Sequence, residues 1–505
     1  MLPLFSIRTD ADWGIGEITD LPRLARWASQ AGFSAVQLLP FHEVALGETS
    51  PYAAVSAFAL DPIYLSLDQM EDFQAAGGVA RLTEDDRITL ARCRAGISVA
   101  WKDVRAIKER ACKQAFLHFC ATSWETKDAR AQSLNAFVHA RSPWLDDFAL
   151  YWVLEKNHGS NWQAWPEPLR HREPAALAES RTRFARDILL RQYLEWNLDS
   201  QWSAARRESA ALGVELGGDL PFVVSRDAAD VWSRPADFHL DLRLGAPPDP
   251  FSSEGQDWGL PVFDWDAMRA GGWAWMRARA ARAAALASFW RVDHVVGLYR
   301  SYFRTFDGRP PGFLPPDEPD QLRQGEDALG VLASAGAIIA EDLGVVPNFV
   351  RASLDRLAIP GFRVLCWEKD GDVFRDPARW PEVSVATTGT HDTPAMATWY
   401  DGLGADERRA LARLPALHHL EPHQPFGPVV HEALLGAVYG ASSRLCILPF
   451  SDALGSRDRI NVPGTVTDVN WTYRMPMTVN ALQSDSALTT RLRAHAARSG
   501  RLLGG

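Results

Sequence analysis

Three short acidic segments, Arg291-Val292-Asp293-His294, Ala340-Glu341-Asp342-Leu343-Gly344 and Gly389-Thr390-His391-Asp392, each follow an apolar run of the kind that makes a buried strand. Carboxylates at the ends of successive parallel strands converge on one mouth of a sheet or barrel. Along Ser288 to Asp293, strand alternation places Arg291 and Asp293 on one face, and a guanidinium beside an acid favours its ionised, nucleophilic form. The run Ala337 to Ala340 delivers Glu341 to the end of the next strand, where partial desolvation raises a carboxyl's pKa as a proton donor near neutral pH requires. His391 and Asp392 close a third strand. Taken singly, each segment also fits a plain structural role: a buried Arg–Asp pair, a solvated helix start, a capping Asp beside a polar His.

Taken together, three strand ends that each present an acid describe one site. Two carboxyls about 5 to 5.5 Å apart carry out retaining glycosidic chemistry, one attacking while the other protonates the leaving oxygen.

The elements that would position them are short apolar runs at Leu4 to Ile7, Ala35 to Leu39, Val214 to Asp219, Ser288 to Asp293, Ile338 to Glu341, Phe362 to Trp367, Val383 to Thr388 and Cys446 to Pro449. Eight such strands separated by amphipathic stretches, such as Leu21 to Ala31 between an Asp20 cap and Gly32, predict an α/β fold, a (β/α)8 TIM barrel. Between the second and third runs, Ser66 to Ser209 reads as an inserted helical subdomain. Leu242 to Trp265, rich in Pro, Gly, Asp and Ser, reads as a long structured loop insertion, too turn-laden for helix or strand and of a kind that is usually functional. A basic stretch from Thr489 to Arg501 reads as a final covering helix, so that residues 1–505 form a single catalytic barrel domain.

Composition sets the bounds. At 505 residues, 47% hydrophobic, the chain can bury a large core; its net charge of -10 argues against nucleic acid as a partner. Five scattered cysteines form neither a CxxC pair nor a zinc-ligand pattern and suit a reduced, cytoplasmic protein. The N-terminal residues lack a secretory leader's features and no later segment approaches a membrane span. Neither a metal nor an organic cofactor is expected.

Aromatic residues are plentiful, with 20 Trp, 23 Phe and 9 Tyr, and several sit in polar or turn contexts: Tyr52 in Ser50-Pro51-Tyr52, Trp258 in Gln256-Asp257-Trp258-Gly259 and Trp471 after Asn470. Flat rings suit the C–H faces of pyranoses, although core packing is the commoner use of any one of them. Gly14-Ile15-Gly16 lacks the third glycine of a nucleotide motif.

With these residues in view, the chain resembles the 4-α-glucanotransferases of glycoside hydrolase family 77, the amylomaltases or disproportionating enzymes. The likeness runs from Trp13-Gly14-Ile15-Gly16 through Ser50-Pro51-Tyr52, Ser56-Ala57-Phe58, Gly218-Asp219-Leu220-Pro221, Pro247-Pro248-Asp249 with Phe251-Ser252, Gly255-Gln256 and the three acidic segments to Asn461-Val462-Pro463-Gly464-Thr465-Val466 and Asn470-Trp471. The resemblance implies transfer of an α-1,4-glucan segment to the 4-hydroxyl of another glucan or of glucose, with maltooligosaccharides, starch or glycogen-derived chains as substrates. It assigns Asp293 as nucleophile, Glu341 as acid/base and Asp392 as transition-state stabiliser. Arg291, His391, Asp219 and Tyr52 match sugar-binding positions, and Asp249, Phe251 and Trp258 lie on a segment, Gly245 to Gly259, that arches over the cleft in relatives. Pro250, Leu260 and Thr393-Pro394-Ala395-Met396 depart from the common pattern and bear on chain-length and acceptor preference. No separate starch-binding domain is expected. An α-1,4-glucan hydrolase and a catalytically silent glucan-binding protein are the competing readings; a nucleotide-sugar transferase would need a phosphate cradle that the sequence lacks.

Overall fold

The computed structural model describes residues 1–45, 47–248, 254–465 and 467–502. Its strands are β1 (Ala35–Gln37), β2 (Glu215–Leu220), β3 (Phe238–Ala246), β4 (Gln256–Phe263), β5 (Phe289–Val292), β6 (Ser301–Thr305), β7 (Gly312–Leu314), β8 (Ala337–Ala340), β9 (Gly361–Val364), β10 (Lys369–Asp370), β11 (Val373–Phe374), β12 (Ser384–Thr387) and β13 (Leu445–Cys446). Seven of them form a parallel sheet in the order β1-β2-β5-β8-β9-β12-β13. Two residues close the ring. Leu2 bridges Leu38 in parallel, and the Met1 amino group donates to Leu448 O at 2.7 Å while Phe450 N–H donates to Met1 O at 2.9 Å. The architecture is therefore the expected (β/α)8 barrel, with Met1 and Leu2 as its shortest stave.

That stave corrects one expectation. Leu4 to Ile7 is not a strand: Leu4–Ser6 is a 3-10 turn, tightened by Ser6 Oγ donating to Pro3 O at 2.7 Å. The run is fully buried all the same, so its apolar character reported burial and not an extended backbone.

The barrel interior holds Ile339, Phe362, Val364 and Val385, with Phe289, Leu445 and Ile447 against them. Outside the barrel, Trp290 packs on Phe41, which in turn stacks on Trp202 at 4.2 Å between centroids. β2 offers glycine at both positions beside β5. A Cβ at Gly217 would lie 2.2 Å from the Phe289 ring, and one at Gly218 would lie 2.6 Å from Trp290. Small residues on one strand thus receive large ones from the next.

From Pro62 to Ala211 the elements between β1 and β2 are all helical, including the long helices Ala129–His158 and Ala185–Ala211. Buried ions tie them to the barrel. Arg191 Nη2 lies 2.7 Å from Glu43 and 3.1 Å from Glu195, and Arg282 meets Glu195 at 3.3 Å and Phe58 O at 3.0 Å.

The segment Leu242 to Trp265 differs from expectation. β3 and β4 form an antiparallel hairpin within a four-stranded sheet of order β4-β3-β6-β7. The signal starts upstream of residue 242: Phe238, Leu240, Leu242 and Leu244 alternate with His239, Asp241 and Arg243, a period of two that a window opening at Leu242 cuts in half. Among the described residues no helix is long and apolar enough to cross a membrane. The helix expected at Thr489 to Arg501 spans Ser486–Arg498.

A methyl group at Gly218 has nowhere to go, because Trp290 is held between the β2 backbone and the Phe41–Trp202 stack. Gly218→Ala should cost about 1–3 kcal/mol by overpacking, seen as an earlier midpoint in denaturant unfolding.

Candidate active site

Register alone brings the first pair together. Asp219 on β2 and Arg291 on β5 are partners in neighbouring parallel strands, and their side chains share the inward face. Arg291 Nη1 donates to both Asp219 oxygens at 2.8 and 2.9 Å, and Tyr52 Oη donates to Asp219 Oδ2 at 2.9 Å. The Asp219 side chain is wholly inaccessible and Arg291 nearly so. Burial alone would lower the guanidinium's pKa, but Asp219, Tyr52, Asp293 and Glu341 together hold it well above its ordinary value, so it is permanently charged.

One residue pair further along, the strands end and two carboxyls emerge. Asp293 Oδ1 accepts from the same Arg291 Nη1 at 2.8 Å, while Glu341 Oε2 stands 4.0 Å from Arg291 Nη2. Main-chain bonds fix both: Asp293 N–H to Leu220 O at 3.1 Å, Glu341 N–H to Val292 O at 3.0 Å and Val295 N–H to Glu341 O at 3.2 Å. Glu341 Oε2 also accepts from the backbone N–H of His294 at 2.8 Å. Burial pushes the Glu341 carboxyl up to about 8 against the pull of Arg291, with the Asp293 charge adding to the rise. Two acids on one guanidinium are thereby differentiated: one is bonded directly to the cation, the other is a desolvated acid able to carry a proton at neutral pH.

The third carboxyl arrives from β12. Asp392 Oδ1 accepts from Asn461 Nδ2 at 2.7 Å, its Oδ2 lies 3.4 Å from His391 Nε2, and its main-chain carbonyl accepts from Arg459 at 2.7 Å. Asp392 remains partly open, whereas His391 is buried, stacked on Tyr52 at 5.2 Å and packed against Trp471 at 5.7 Å. Tyr52 links this group to the first pair through its hydroxyl bond to Asp219. The His391 Nδ1 atom is buried without a protein hydrogen-bond partner among the described residues.

Of the residues singled out from sequence, Tyr52, Asp219, Arg291, Asp293, Glu341, His391 and Asp392 form this connected cluster. Trp258 lies on β4, its Nε1 donating to Gln256 at 3.0 Å and its ring edge-on to His294 at 4.9 Å. Asp249 and Phe251 lie outside the described residues. Sequence reasoning gave no role to Asn461 or Arg459, which hold the Asp392 turn from far along the chain; the Asn461-Val462-Pro463-Gly464 motif was the signal available. Sequence reasoning chose Glu341 over its neighbour as the acid at the strand end, and the structure sets the two apart in the same way. Asp342 faces outward, bonded to Arg351 at 2.9 Å, Arg363 at 3.1 Å and the Phe362 N–H at 2.6 Å, and ties β8 to β9.

A cavity of about 1290 Å³ lies at the opposite end of the barrel, lined by Ala35, Phe289, Ala337 and Leu445, where the strands begin. It is remote from the carboxyl cluster at their C-terminal ends. Among the described residues no group of three or more His, Cys, Asp or Glu is arranged to hold a metal ion.

Comparison with known proteins identifies the family. A family model described as 4-alpha-glucanotransferase, glycoside hydrolase family 77, matches residues 2–479. The 4-alpha-glucanotransferase of Thermus thermophilus is 32% identical over 488 residues, covering 92% of this chain and 92% of its own. That of Synechocystis sp. is 31% identical over 477 residues, covering 92% of this chain and 90% of its own. Among solved structures, an amylomaltase from Streptococcus agalactiae in complex with acarbose superposes with a TM-score of 0.85 at 22% identity, covering 100% of this chain and 99% of that one, a likeness of fold. With a family model spanning nearly its full length and relatives above 30% identity along it, the chain belongs to glycoside hydrolase family 77, the 4-alpha-glucanotransferases.

Proposed function

We propose that the strand-end carboxyls perform the family's transfer as a double displacement with retention. Asp293 Oδ attacks C1 of the donor glucan, the bond from C1 to the leaving 4-oxygen breaks, and Glu341 gives its proton to that oxygen. The 4-hydroxyl of an acceptor glucan or of glucose then attacks C1 of the glucanyl-enzyme, the ester bond from C1 to Asp293 Oδ breaks to free the carboxylate, and the hydroxyl proton passes to Glu341. Two inversions restore the α-linkage. The observation that carries this reading is that one buried guanidinium touches both acids at different distances, with Glu341 raised to about 8.

In the same reading Asp392 hydrogen-bonds the hydroxyls of the sugar at the reacting centre, held in place by Asn461 and Arg459. His391 and Arg291 bind that sugar, and Tyr52 and Asp219 complete its seat. Trp258, on the hairpin above the carboxyls, gives a flat face to the next ring. Asp249 and Phe251 lie in the sequence between β3 and β4 and are assigned to substrate binding with it. The helical segment 66–209 and the hairpin segment 242–265 act as walls of one catalytic domain, residues 1–505. The substrates are maltooligosaccharides and the chains of starch or glycogen, and the compartment is the cytoplasm, which suits five thiols with no pairing pattern.

Maltotriose as sole substrate tests the reaction. Transfer gives glucose and a ladder of longer chains with the number of reducing ends unchanged; a product set of only shorter sugars with new reducing ends would mean hydrolysis.

The acid also sets a pH dependence. Below about 8 Glu341 holds its proton and can protonate the leaving oxygen; above it, kcat/KM should fall about tenfold per unit. The same shift acts on stability in the opposite sense to a salt-bridged acid. Because the folded-state pKa is raised, the fold loses stability as pH climbs from about 4.3 in the unfolded chain toward 8. Glu341→Gln, which cannot ionise, should abolish transfer yet melt higher than the parent at pH 8 in a thermal scan.

A further inference from the structure

The residue after Asp293 adopts a backbone conformation that its type disfavours. His294 has φ of +45°, in the left-handed region, although it is not glycine. Such strain persists only where the surroundings over-determine it. Here they do so on two sides.

The main chain supplies the first restraint. His294 O accepts from Gly297 N–H at 2.8 Å, and Val295 N–H reaches across to Glu341 O at 3.2 Å, so the turn is pinned to the residue that carries the acid. The ring supplies the second. Its imidazole stands edge-on to Phe222 at 5.6 Å and to Trp258 at 4.9 Å, and the space beside it exists only because residue 297 is glycine. A Cβ there would lie 2.7 Å from His294 Cδ2 and from the Phe222 ring. Burial lowers the imidazole's pKa, so the ring is neutral and acts by its shape. The outcome of both restraints is the direction of one donor: the His294 N–H points at Glu341 Oε2, 2.8 Å away.

We propose that His294 is a positioning residue for the acid/base carboxyl: its left-handed turn, held by ring packing against Phe222, Gly297 and Trp258, aims a backbone N–H at Glu341. This rests on the reading of Glu341 as the acid/base. The N–H bond has two effects. It selects one rotamer of the carboxyl, and it favours the ionised form, restraining the upward push of burial. Trp258 sits on the β3–β4 hairpin, so the seat of that hairpin and the orientation of the acid are mechanically joined.

The test separates the turn from the ring. Glycine adopts the left-handed conformation freely, whereas a β-branched residue is an outlier there. In His294→Gly the N–H stays aimed and the alkaline limb of kcat/KM against pH should remain where the parent has it, whatever the turnover. In His294→Val the turn is driven out of the left-handed region, the bond is lost, and the limb should move up by about one unit with turnover at pH 7 lower by about tenfold. Gly297→Ala, which pushes directly on the imidazole, should move the limb in the same direction as His294→Val. Thermal melting of each variant confirms that a folded protein is being assayed. A limb unmoved in folded His294→Val and Gly297→Ala would overturn the proposal, as would an equal shift in His294→Gly and His294→Val, which would assign the effect to the ring. Glu341→Gln is the control for the underlying reading: if it keeps turnover and the same alkaline limb, the acid has been misassigned, a result distinct from either of the others.

Discussion

One guanidinium meets three carboxyls at the heart of this barrel, and the rest of the site is arranged around that contact. Arg291 bonds Asp219 with both oxygens, Asp293 with one, and stands near Glu341. Neither the Arg291 guanidinium nor the Asp219 carboxylate would be tolerated alone at such depth, because stranding a buried ion costs about 3–5 kcal/mol. The pairing therefore depends on β2 and β5 lying in the register that makes residues 219 and 291 partners. That register in turn depends on Gly217 and Gly218 leaving room for Phe289 and Trp290. A requirement of packing at the base of the strands becomes a requirement of chemistry at their ends.

The same cation meets its acids unequally. Asp293 takes a direct bond, while Glu341 stands further off, buried, and receives a backbone N–H in place of a guanidinium N–H. In the proposed reading, a proton donor and a nucleophile thus share one positive centre without becoming alike, the condition that retaining glycosyl transfer sets. Asp392 is differently supplied. Its partners are the amide of Asn461 and the imidazole of His391, and its side chain is the most open of the three. That access suits the proposed role of Asp392, hydrogen-bonding sugar hydroxyls.

Much of this was legible beforehand, and where it was not, the reason is physical. Short buried strands announce themselves by apolar runs that end in a polar residue, so seven staves and the placement of Asp293, Glu341 and Asp392 followed from pattern alone. The eighth did not, because Met1 and Leu2 contribute only a bridge and the adjoining apolar run, Leu4 to Ile7, curls into a turn. The β3–β4 hairpin was hidden by composition: prolines, glycines and acids in the sequence between its strands obscured the alternation of Phe238, Leu240, Leu242 and Leu244. At Glu341-Asp342 two acids stand side by side: the strand end selects Glu341 for Arg291, whereas the pairing of Asp342 with Arg351 and Arg363 is set by elements further along the chain. Asn461 and Arg459 act on a turn nearly 70 residues earlier, a contact that no local spacing encodes. The left-handed turn at His294 is a further case, since nothing in the type of that residue favours it.

The account stands or falls on which oxygen forms the bond to the sugar. A fluorinated α-glucosyl fluoride, which slows turnover of the glucanyl-enzyme, can be used to trap it, and digestion followed by mass spectrometry locates the attached sugar. The account predicts one added glucosyl residue on the peptide containing Asp293 and none when Asp293 is replaced by Asn. Label carried by another residue, or none under conditions where the trap stops turnover, would contradict it.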